Sequence, residues 1–504
     1  MNDPLTSPEA EQLRPRRIGL SKSRIAIFEQ CAKRLWLSVH KPELSLESEG
    51  TRRVFRIGHE VGAAACALYP DGIEIDGSQG LTQAAKATAA AMERESRVPL
   101  FEATFIHQGV AVRVDLMIPD GDGWHVIEVK STTSVKPYQR ADLATQLWVM
   151  RGCGVPICRA SIRVIDTRFV LRESGSYDGL FVDEPAGDEV DLIVGTRAEV
   201  VTAANVTLGG PEPNITIGNH CSDPFACSFE QYCRRNLPAP AAWPTSLLPG
   251  IGGKAFARAA AEEGIDDLLL VDAERLPHPV LSRVHAATVS GTPYHDAEAV
   301  RRETDGWTYP RTFLDFETIA FAIPRWIGTS PYQQIPFQFS AHIDRGVGEL
   351  AHIEFLSIDT TDPRWACAEA LANLPADGAV VAWNASFERS CLLKLAEHVP
   401  DHAPALRSLA SRLVDLLPVA RRHYYHRDMR GSWSIKAVLP TLAPELDYNR
   451  LEGTRSGVEA QDAYLEAINS ATAPGRREQL HQGLLDYCAL DTMAMVVALD
   501  RLRG

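Results

Sequence analysis

Between Phe101 and Met150 the chain reads FEATFIHQGVAVRVDLMIPDGDGWHVIEVKSTTSVKPYQRADLATQLWVM, and this stretch restricts the fold more than any other. Two β-rich runs, Phe101–Ile106 and Val110–Ile118, flank a His-Gln-Gly turn. Pro119-Asp-Gly-Asp-Gly123 then turns the chain into a third run, Trp124–Lys130, and a helix carrying Gln146 follows. Side chains alternate along a strand, so Glu128 and Lys130, two residues apart, project together. Asp115 ends the apolar alternation of the second strand, and the tight turn brings it beside them. Two carboxylates on rigid strands can hold a divalent metal, and an adjacent ammonium can orient or activate water. The plain alternative is a surface hairpin, because Asp…Glu-x-Lys is a common pattern.

The run Asp115…Glu128-Val129-Lys130, with Gln146 on the next helix, resembles the PD-(D/E)xK nuclease pattern in its RecB-type version. The resemblance implies Asp115, Glu128 and Val129 as metal ligands, with Lys130 and Gln146 completing the catalytic set. In Arg56-Ile-Gly-His-Glu-Val-Gly-Ala-Ala-Ala65, His59 matches the Gly-His element that supplies a histidine to the metal in such nucleases. Read alone, His59 is a packing or surface residue on a helix. Glu102, on the first strand, is an extra acid. Relatives carry Gln-x-x-x-Tyr on the helix; here Met150 stands in the tyrosine place.

A chain of 504 residues is too long for one core, and three or so structural units are expected. Hydrophobic content of 45% is globular, and no apolar signal core or uninterrupted membrane span of about 20 residues is visible. The expectation is a cytoplasmic protein with no membrane partner. A net charge of −14 excludes an overall basic coat but not local stripes, for which Arg14-Pro-Arg-Arg17, Arg52/Arg53/Arg56 and Arg421–Arg430 are candidates.

Ten cysteines are too sparse for a disulfide scaffold, so a cluster among them points to metal. Leu20–His40 has helical spacing, with Ser21 or Ser23 as cap and Cys31 inside it. Residues 221–233, CSDPFACSFEQYC, place Cys221, Cys227 and Cys233 in one short segment. One upstream cysteine and three beyond the nuclease core resemble the iron–sulfur clasp of RecB-like nucleases. The resemblance implies a [4Fe–4S] cluster on Cys31, Cys221, Cys227 and Cys233, closing a loop of about 190 residues and acting structurally. Tetrahedral zinc is the alternative. Cys66, Cys153 and Cys158 are read as core. This module spans 18–237.

Residues 238–305 form a helical linker. Its Leu-Pro-Gly-Ile-Gly followed by an Ala-rich helix resembles half of a helix–hairpin–helix, which offers backbone N–H groups to phosphate. A plain turn between packing helices reads equally well.

In the last module, 306–504, Arg311–Ile319 is an apolar strand interrupted by Asp315 and Glu317. Unneutralised, two carboxylates on one face of a buried strand repel, and a divalent metal relieves that cost. Strands near Pro336–Ile343, Ala351–Ile358 and Ala379–Trp383 follow, the last opening into Trp383-Asn-Ala-Ser-Phe-Glu388. Leu484–Leu502 is an amphipathic helix with Tyr487 and Asp491 on one face. This order resembles the tyrosine subtype of the DEDD 3′–5′ exonucleases, with a ribonuclease-H-like fold. It implies Asp315, Glu317, Glu388, Tyr487 and Asp491 as catalytic and paired Mg²⁺ or Mn²⁺ as cofactor. The family has Asp where this chain has Glu388, and Asp415 is a substitute or additional metal ligand. Asn384 and Phe387 would position or pack, and Arg421, Arg422, Arg427 and Lys436 would meet phosphates. The aromatic, polar run Ile323–Ser340 is read as a groove for a splayed strand or as a core-edge loop.

The fold class expected is therefore α/β: a RecB-like PD-(D/E)xK domain, a small helical hairpin segment and a ribonuclease-H-like exonuclease domain. The whole chain resembles a bacterial family with this arrangement. The resemblance implies a metal-dependent nuclease acting exonucleolytically on single-stranded ends, with DNA favoured over RNA, in repair, recombination or defence. Alternatives are an RNA exonuclease and a non-catalytic nucleic-acid-binding adaptor built around a structural metal cluster.

Overall fold

The computed structural model describes residues 19–46, 49–235, 237–276, 278–451 and 453–504; the basic run at 14–17 lies outside them. The protein is mixed α/β, with a seven-stranded sheet, a five-stranded sheet and a two-stranded ribbon. It divides into two compact units, Met1–Leu237 with Phe321–Tyr332, and Pro238–Ala320 with Gln333–Gly504.

The first unit contains β1 (Leu20–Ser21), α1 (Lys22–Gln30), α2 (Ala32–His40), α3 (Glu49–Ala67), β2 (Ile73–Glu74), α4 (Leu81–Met92), β3 (Leu100–His107), β4 (Val110–Asp120) and β5 (Gly123–Val129). Then come α5 (Pro137–Gly152), β6 (Ile157–Ile165), β7 (Phe181–Pro185), α6 (Gly187–Gly209) and α7 (Glu230–Arg234). The strands lie in the order β2-β3-β4-β5-β6-β7, and β1 pairs with the start of β4, Leu20 against Val110. The β3–β4 hairpin turns through Gln108 (φ 46°) and Gly109 (φ 78°). Two successive left-handed residues give the turn whose twist matches the flanking strands. Helix α5 buries Leu143, Ala144, Leu147 and Met150 against Val112, Val114 and Val126.

Leu20–His40 is not one helix. Cys31 is extended (φ −165°, ψ 118°) and separates α1 from α2. The apolar spacing runs through the break because Ile25 and Leu35 pack into one core from both short helices. Cys153 and Cys158, expected in the core, are exposed, one capping the end of α5 and one at the start of β6. The segment Phe321–Tyr332 is no open groove. Ala322, Ile323 and Tyr332 pack with Val61, Ile165 and Leu180, Phe321 and Trp326 are buried edge to face, and the Tyr332 hydroxyl donates to the Ser131 carbonyl.

The second unit contains α8 (Gly250–Glu262), α9 (Pro279–Ser290), β8 (Tyr294–His295), α10 (Ala297–Thr304), β9 (Arg311–Ile319), β10 (Ile335–Asp344), β11 (Leu350–Leu356), α11 (Arg364–Ala372) and β12 (Val380–Ala382). After these come α12 (Ala385–His398), α13 (Ala403–Ser411), β13 (Leu413–Asp415), α14 (Leu416–His423), β14 (Tyr424–Tyr425), α15 (Ile435–Leu442), α16 (Gly457–Ala467) and α17 (Pro474–Arg503). The sheet order is β11-β10-β9-β12-β13, antiparallel up to β9 and parallel beyond it. A central strand is covered on both faces, so β9 is buried at nearly every position. Leu314 and Phe316 pack under α11, α12 and α13, while Phe313 faces the cluster that holds Met495 of α17. Asp315 and Glu317 share the face of Phe313.

Helices α8, α9 and α10 have no core of their own. Leu248, Leu281, Val284 and Val300 join Phe313, Tyr425 and Leu499 in one cluster. Before α8 stands only a single 3₁₀ turn, Thr245–Leu247. A Cβ on Gly253 would sit 2.3 Å from the Leu248 carbonyl oxygen, so the glycine-rich turn is required for packing. Helix α17 is long and apolar enough to cross a membrane by length and composition, but 56% of its most apolar window is buried inside the protein. Its Leu484, Met495, Leu499 and Leu502 are core residues.

Candidate metal centres

Strand β9 presents Asp315 and Glu317, and α17 crosses their face with Asp491. One oxygen from each of the three carboxylates lies within 4.8 Å of the other two. Glu317 and Asp491 are buried and Asp315 is half-buried. Among the described residues, no Lys, Arg or His forms an ion pair with any of them. Burial and the charge of Asp491 push the Glu317 carboxyl up to about 8. Burial and the charges of Asp491, Glu317 and Glu388 hold Asp315 well above the ordinary carboxylate range. Asp491 is raised by burial too, against the pull of the Tyr448 hydroxyl, which donates to its Oδ1 at 2.6 Å, and of Lys436.

The three acids open on a cleft of about 650 Å³, counted to its open mouth, which Glu388, Asn384, Phe387, Lys436, Tyr487 and Trp383 also line. Lys436 Nζ donates to the Tyr487 hydroxyl at 2.8 Å and to the Arg455 carbonyl at 2.8 Å. Glu388, from the first turn of α12, is buried, and its Oε2 has no hydrogen-bond partner among the described residues. Burial, then the charge of Asp415, pushes its carboxyl up to about 8. Such a group tolerates ionisation only if a cation or donor arrives.

Asp415 is engaged elsewhere. Its Oδ1 accepts from the Leu417 N–H at 3.0 Å, capping α14, and from the Asn384 N–H at 3.1 Å. It is absent from the cleft lining, and its Oδ1 caps α14. The Arg421–Arg430 stripe is largely committed as well. Arg422 pairs with Glu303 at 2.6 Å, and Arg427 and Arg430 both lie over the Trp243 ring.

In the first unit the register, with Leu116 opposite Ile127, sets Asp115 across from Glu128. The Val129 N–H donates to Asp115 Oδ2 at 2.7 Å, so Val129 is drawn against Asp115 through its backbone. Glu128 is almost fully buried and surrounded by donors. Lys130 Nζ lies 2.8 Å from its Oε1, Lys22 Nζ lies 2.8 and 3.0 Å from its two oxygens, and the Gln146 amide donates to Oε2. Burial alone would raise Glu128, but Lys130 and Lys22 overcome it and hold the carboxyl down to about 2. Burial and the Glu128 charge push Asp115 up to about 7. Lys130 also pairs with Asp142 at 2.8 Å.

His59 is exposed on α3, and no group of three metal-ligating side chains within 4.8 Å of one another forms around Asp115 among the described residues. Glu102 pairs with Arg113 at 2.9 Å. It sits between the Phe101–Leu116 and Ala103–Val114 pairs, opposite Asp115, with φ at 56°. A left-handed, non-glycine residue inside a strand is a strained position of the kind that clusters at sites.

Cys31, Cys221, Cys227 and Cys233 line one small pocket, together with Lys33, Arg34 and Phe229. The Gln30 amide ties α1 to the cysteine loop, donating to the His220 carbonyl at 2.8 Å and the Phe225 carbonyl at 2.6 Å. No three of the four sulfurs lie within 4.8 Å of one another. Burial raises the Cys227 and Cys233 thiols, and Lys33 and Arg34 counter it.

Two residues central to these sites carry no signal in the sequence. Lys22 lies 106 positions from Glu128 and opens a helix as an ordinary polar residue. Tyr448 stands in Leu-Asp-Tyr-Asn-Arg, a stretch with no catalytic pattern.

Residues 312–434 match a family described as a domain of unknown function, DUF2779. That match includes Asp315, Glu317 and Glu388 and stops before Tyr487 and Asp491. No curated protein matches the chain. Among solved structures, one titled "Crystal structure of SSO0001" is similar at 13% identity and a TM-score of 0.23, over 46% of this chain and 93% of that one.

Proposed function

We propose that this chain is a metal-dependent nuclease, hydrolysing phosphodiester bonds of DNA in preference to RNA, with Asp315, Glu317 and Asp491 as its principal centre. The observation that carries the reading is the convergence of three largely buried carboxylates that no ion pair among the described residues neutralises. Charges gathered in this way are costly to a folded chain unless a cation joins them. The donor set, all carboxylate oxygen, fits the hard cations Mg²⁺ and Mn²⁺. When bound, such ions activate a water and stabilise the leaving oxygen.

The remaining roles belong to the protein's own side chains. Tyr448 keeps the Asp491 carboxylate in one orientation through its 2.6 Å hydrogen bond. Lys436 holds the Tyr487 hydroxyl at the cleft and offers a positive charge to a phosphate. Glu388 supplies an unpartnered oxygen on the cleft wall, while Trp383 and Phe387 give apolar surface against which a base can lie. The order of Asp315, Glu317, Glu388, Tyr487 and Asp491 along the chain supports a DEDD-type, ribonuclease-H-like assignment, and with it attack at strand ends.

The RecB-like reading of the first unit is supported by Asp115 and Glu128 on paired strands with Lys130 and Gln146 in contact with Glu128. For the four cysteines, a tetrahedral zinc centre with Zn–S near 2.3 Å would need sulfurs about 3.8 Å apart. The four cysteines on one pocket, with no three of their sulfurs that close, support an iron–sulfur cluster held by Cys31, Cys221, Cys227 and Cys233, which would pin α1 and α2 to the end of the unit.

End-labelled single- and double-stranded DNA and RNA, incubated with Mg²⁺ or Mn²⁺, test the proposal. Wild-type protein is expected to shorten DNA from its ends and Asp315→Asn to be inert, while Asp115→Asn keeps most of the activity. An Asp315→Asn variant as active as wild type, or a wild type inert on every substrate, would refute it.

A further inference from the structure

Both oxygens of Glu128 are already taken. Oε1 receives Lys22 and Lys130, each at 2.8 Å, and Oε2 receives Lys22 at 3.0 Å and the Gln146 amide. Lys22 therefore sits astride the carboxylate, in contact with both oxygens, as a bidentate cation would. Asp115 keeps one oxygen, Oδ1, that accepts no hydrogen bond among the described residues.

Lys22 is not a loose surface lysine that happens to reach inward. Leu20 and Ser21 are hydrogen-bonded to β4 as β1, and the Ser21 hydroxyl accepts from the Arg24 N–H at 3.3 Å to cap α1. Lys22 is the first residue of that helix, fixed by strand pairing on one side and by a cap on the other. Its side chain is 19% exposed. The second unit offers the contrast, since among the described residues no lysine or arginine pairs with Asp315, Glu317 or Asp491.

We propose that Lys22 is the resident cation of the first carboxylate site, so that a divalent metal loads onto Asp115 and Glu128 only by displacing the Lys22 ammonium. The proposal rests on the reading of Asp115 and Glu128 as metal ligands. Lys130 belongs to the motif and is held in part by Asp142, so it stays when a metal arrives. Lys22 spans the two oxygens that a metal would use, and like charges cannot share them. The first unit then binds metal weakly on its own, whatever the second unit does.

Mn²⁺ binding to the full-length chain, measured by the paramagnetic resonance of free Mn²⁺, tests this. An Asp315→Asn, Glu317→Gln background silences the second centre in every sample. In that background Lys22→Met should bind Mn²⁺ about 10-fold tighter or more, and Lys22→Arg should bind as weakly as Lys22 itself. Adding Glu128→Gln to Lys22→Met should abolish the gain. Equal or weaker binding by Lys22→Met, with Glu128→Gln still abolishing it, overturns the role of Lys22 and leaves the metal site standing. Mn²⁺ binding that never depends on Glu128 overturns both. Lys22→Gln, which keeps a neutral donor beside Glu128, gives the same comparison if the methionine variant does not fold, as thermal melting will reveal.

Discussion

Glu388 offers a direct measurement of what the second centre costs its own fold. The carboxyl is buried, one oxygen has no partner, and its pKa stands at about 8 against an ordinary 4.5. A folded-state value above the unfolded one means that the native protein holds the proton more tightly. The penalty is therefore absent below about pH 4.5, grows as the pH rises towards 8, and is complete above that. At full ionisation the penalty amounts to roughly 5 kcal/mol, of which roughly 2 kcal/mol is already present at pH 6. Glu388→Gln removes the charge and keeps the shape. In metal-free buffer the variant should exceed wild type in stability, and its advantage should widen by roughly 3 kcal/mol between pH 6 and pH 9. Amide exchange of the α12 peptides, 385–398, reports the second unit separately from the first. The ratio of variant to wild-type protection should rise about a hundredfold over that range. An advantage that stays flat or shrinks as the pH rises would refute the assignment of Glu388 as a strained, cation-seeking group. Nuclease activity should fall in the same variant, so stability and activity move in opposite directions.

Other outcomes follow from the same geometry. Saturating Mn²⁺, at about 100 times its dissociation constant, should stabilise the wild-type second unit by about 2.7 kcal/mol and leave Asp315→Asn unmoved, read by thermal melting. Tyr448→Phe removes the 2.6 Å hydrogen bond to Asp491 and should cost roughly 1–3 kcal/mol in denaturant unfolding with metal bound, together with a fall in nuclease rate. Gln30→Ala leaves the His220 and Phe225 carbonyls without their donor. It should lower the iron content and visible absorbance of anaerobically purified protein while nuclease activity at Asp315 persists.

Much of this arrangement is legible in the sequence, for a physical reason. Period-two alternation and turn residues are local, so the β3–β4–β5 run and β9 could be placed from the residues alone, as could the i, i+2 pairing of Asp315 with Glu317. The long helix at the C-terminus carries Tyr487 and Asp491 four residues apart, and that spacing is also local. What the sequence hides is non-local or depends on backbone detail. The break at Cys31 is invisible because apolar spacing continues through it. Asp415 reads as a metal ligand, and no local pattern reveals that its Oδ1 also accepts from the Leu417 and Asn384 N–H groups. Arg427 reads as a phosphate contact, and no motif announces that Trp243 lies beneath it. Lys22 and Tyr448 each act across a separation that no motif spans.

The two acidic centres start from the same device, a carboxylate two residues from another polar group on a buried strand, and end in opposite electrostatic states. Glu128 is held down to about 2 and Glu317 is pushed up to about 8, although both are buried. Burial acts the same way on each, so the opposite directions must come from neighbours. At Glu128 those neighbours are the ammonium groups of Lys22 and Lys130. At Glu317 the nearest strong influence is another carboxylate, Asp491, and Lys436 spends its hydrogen bonds on Tyr487 and the Arg455 carbonyl. A centre that carries its own cations gains little from a metal, whereas one built from unpaired acids gains the whole of its repulsion back. If the acids of the second unit hold the proposed divalent ions, the demand for metal is concentrated there, and a chelator should loosen α17 against β9 well before it disturbs the pairing of β4 with β5.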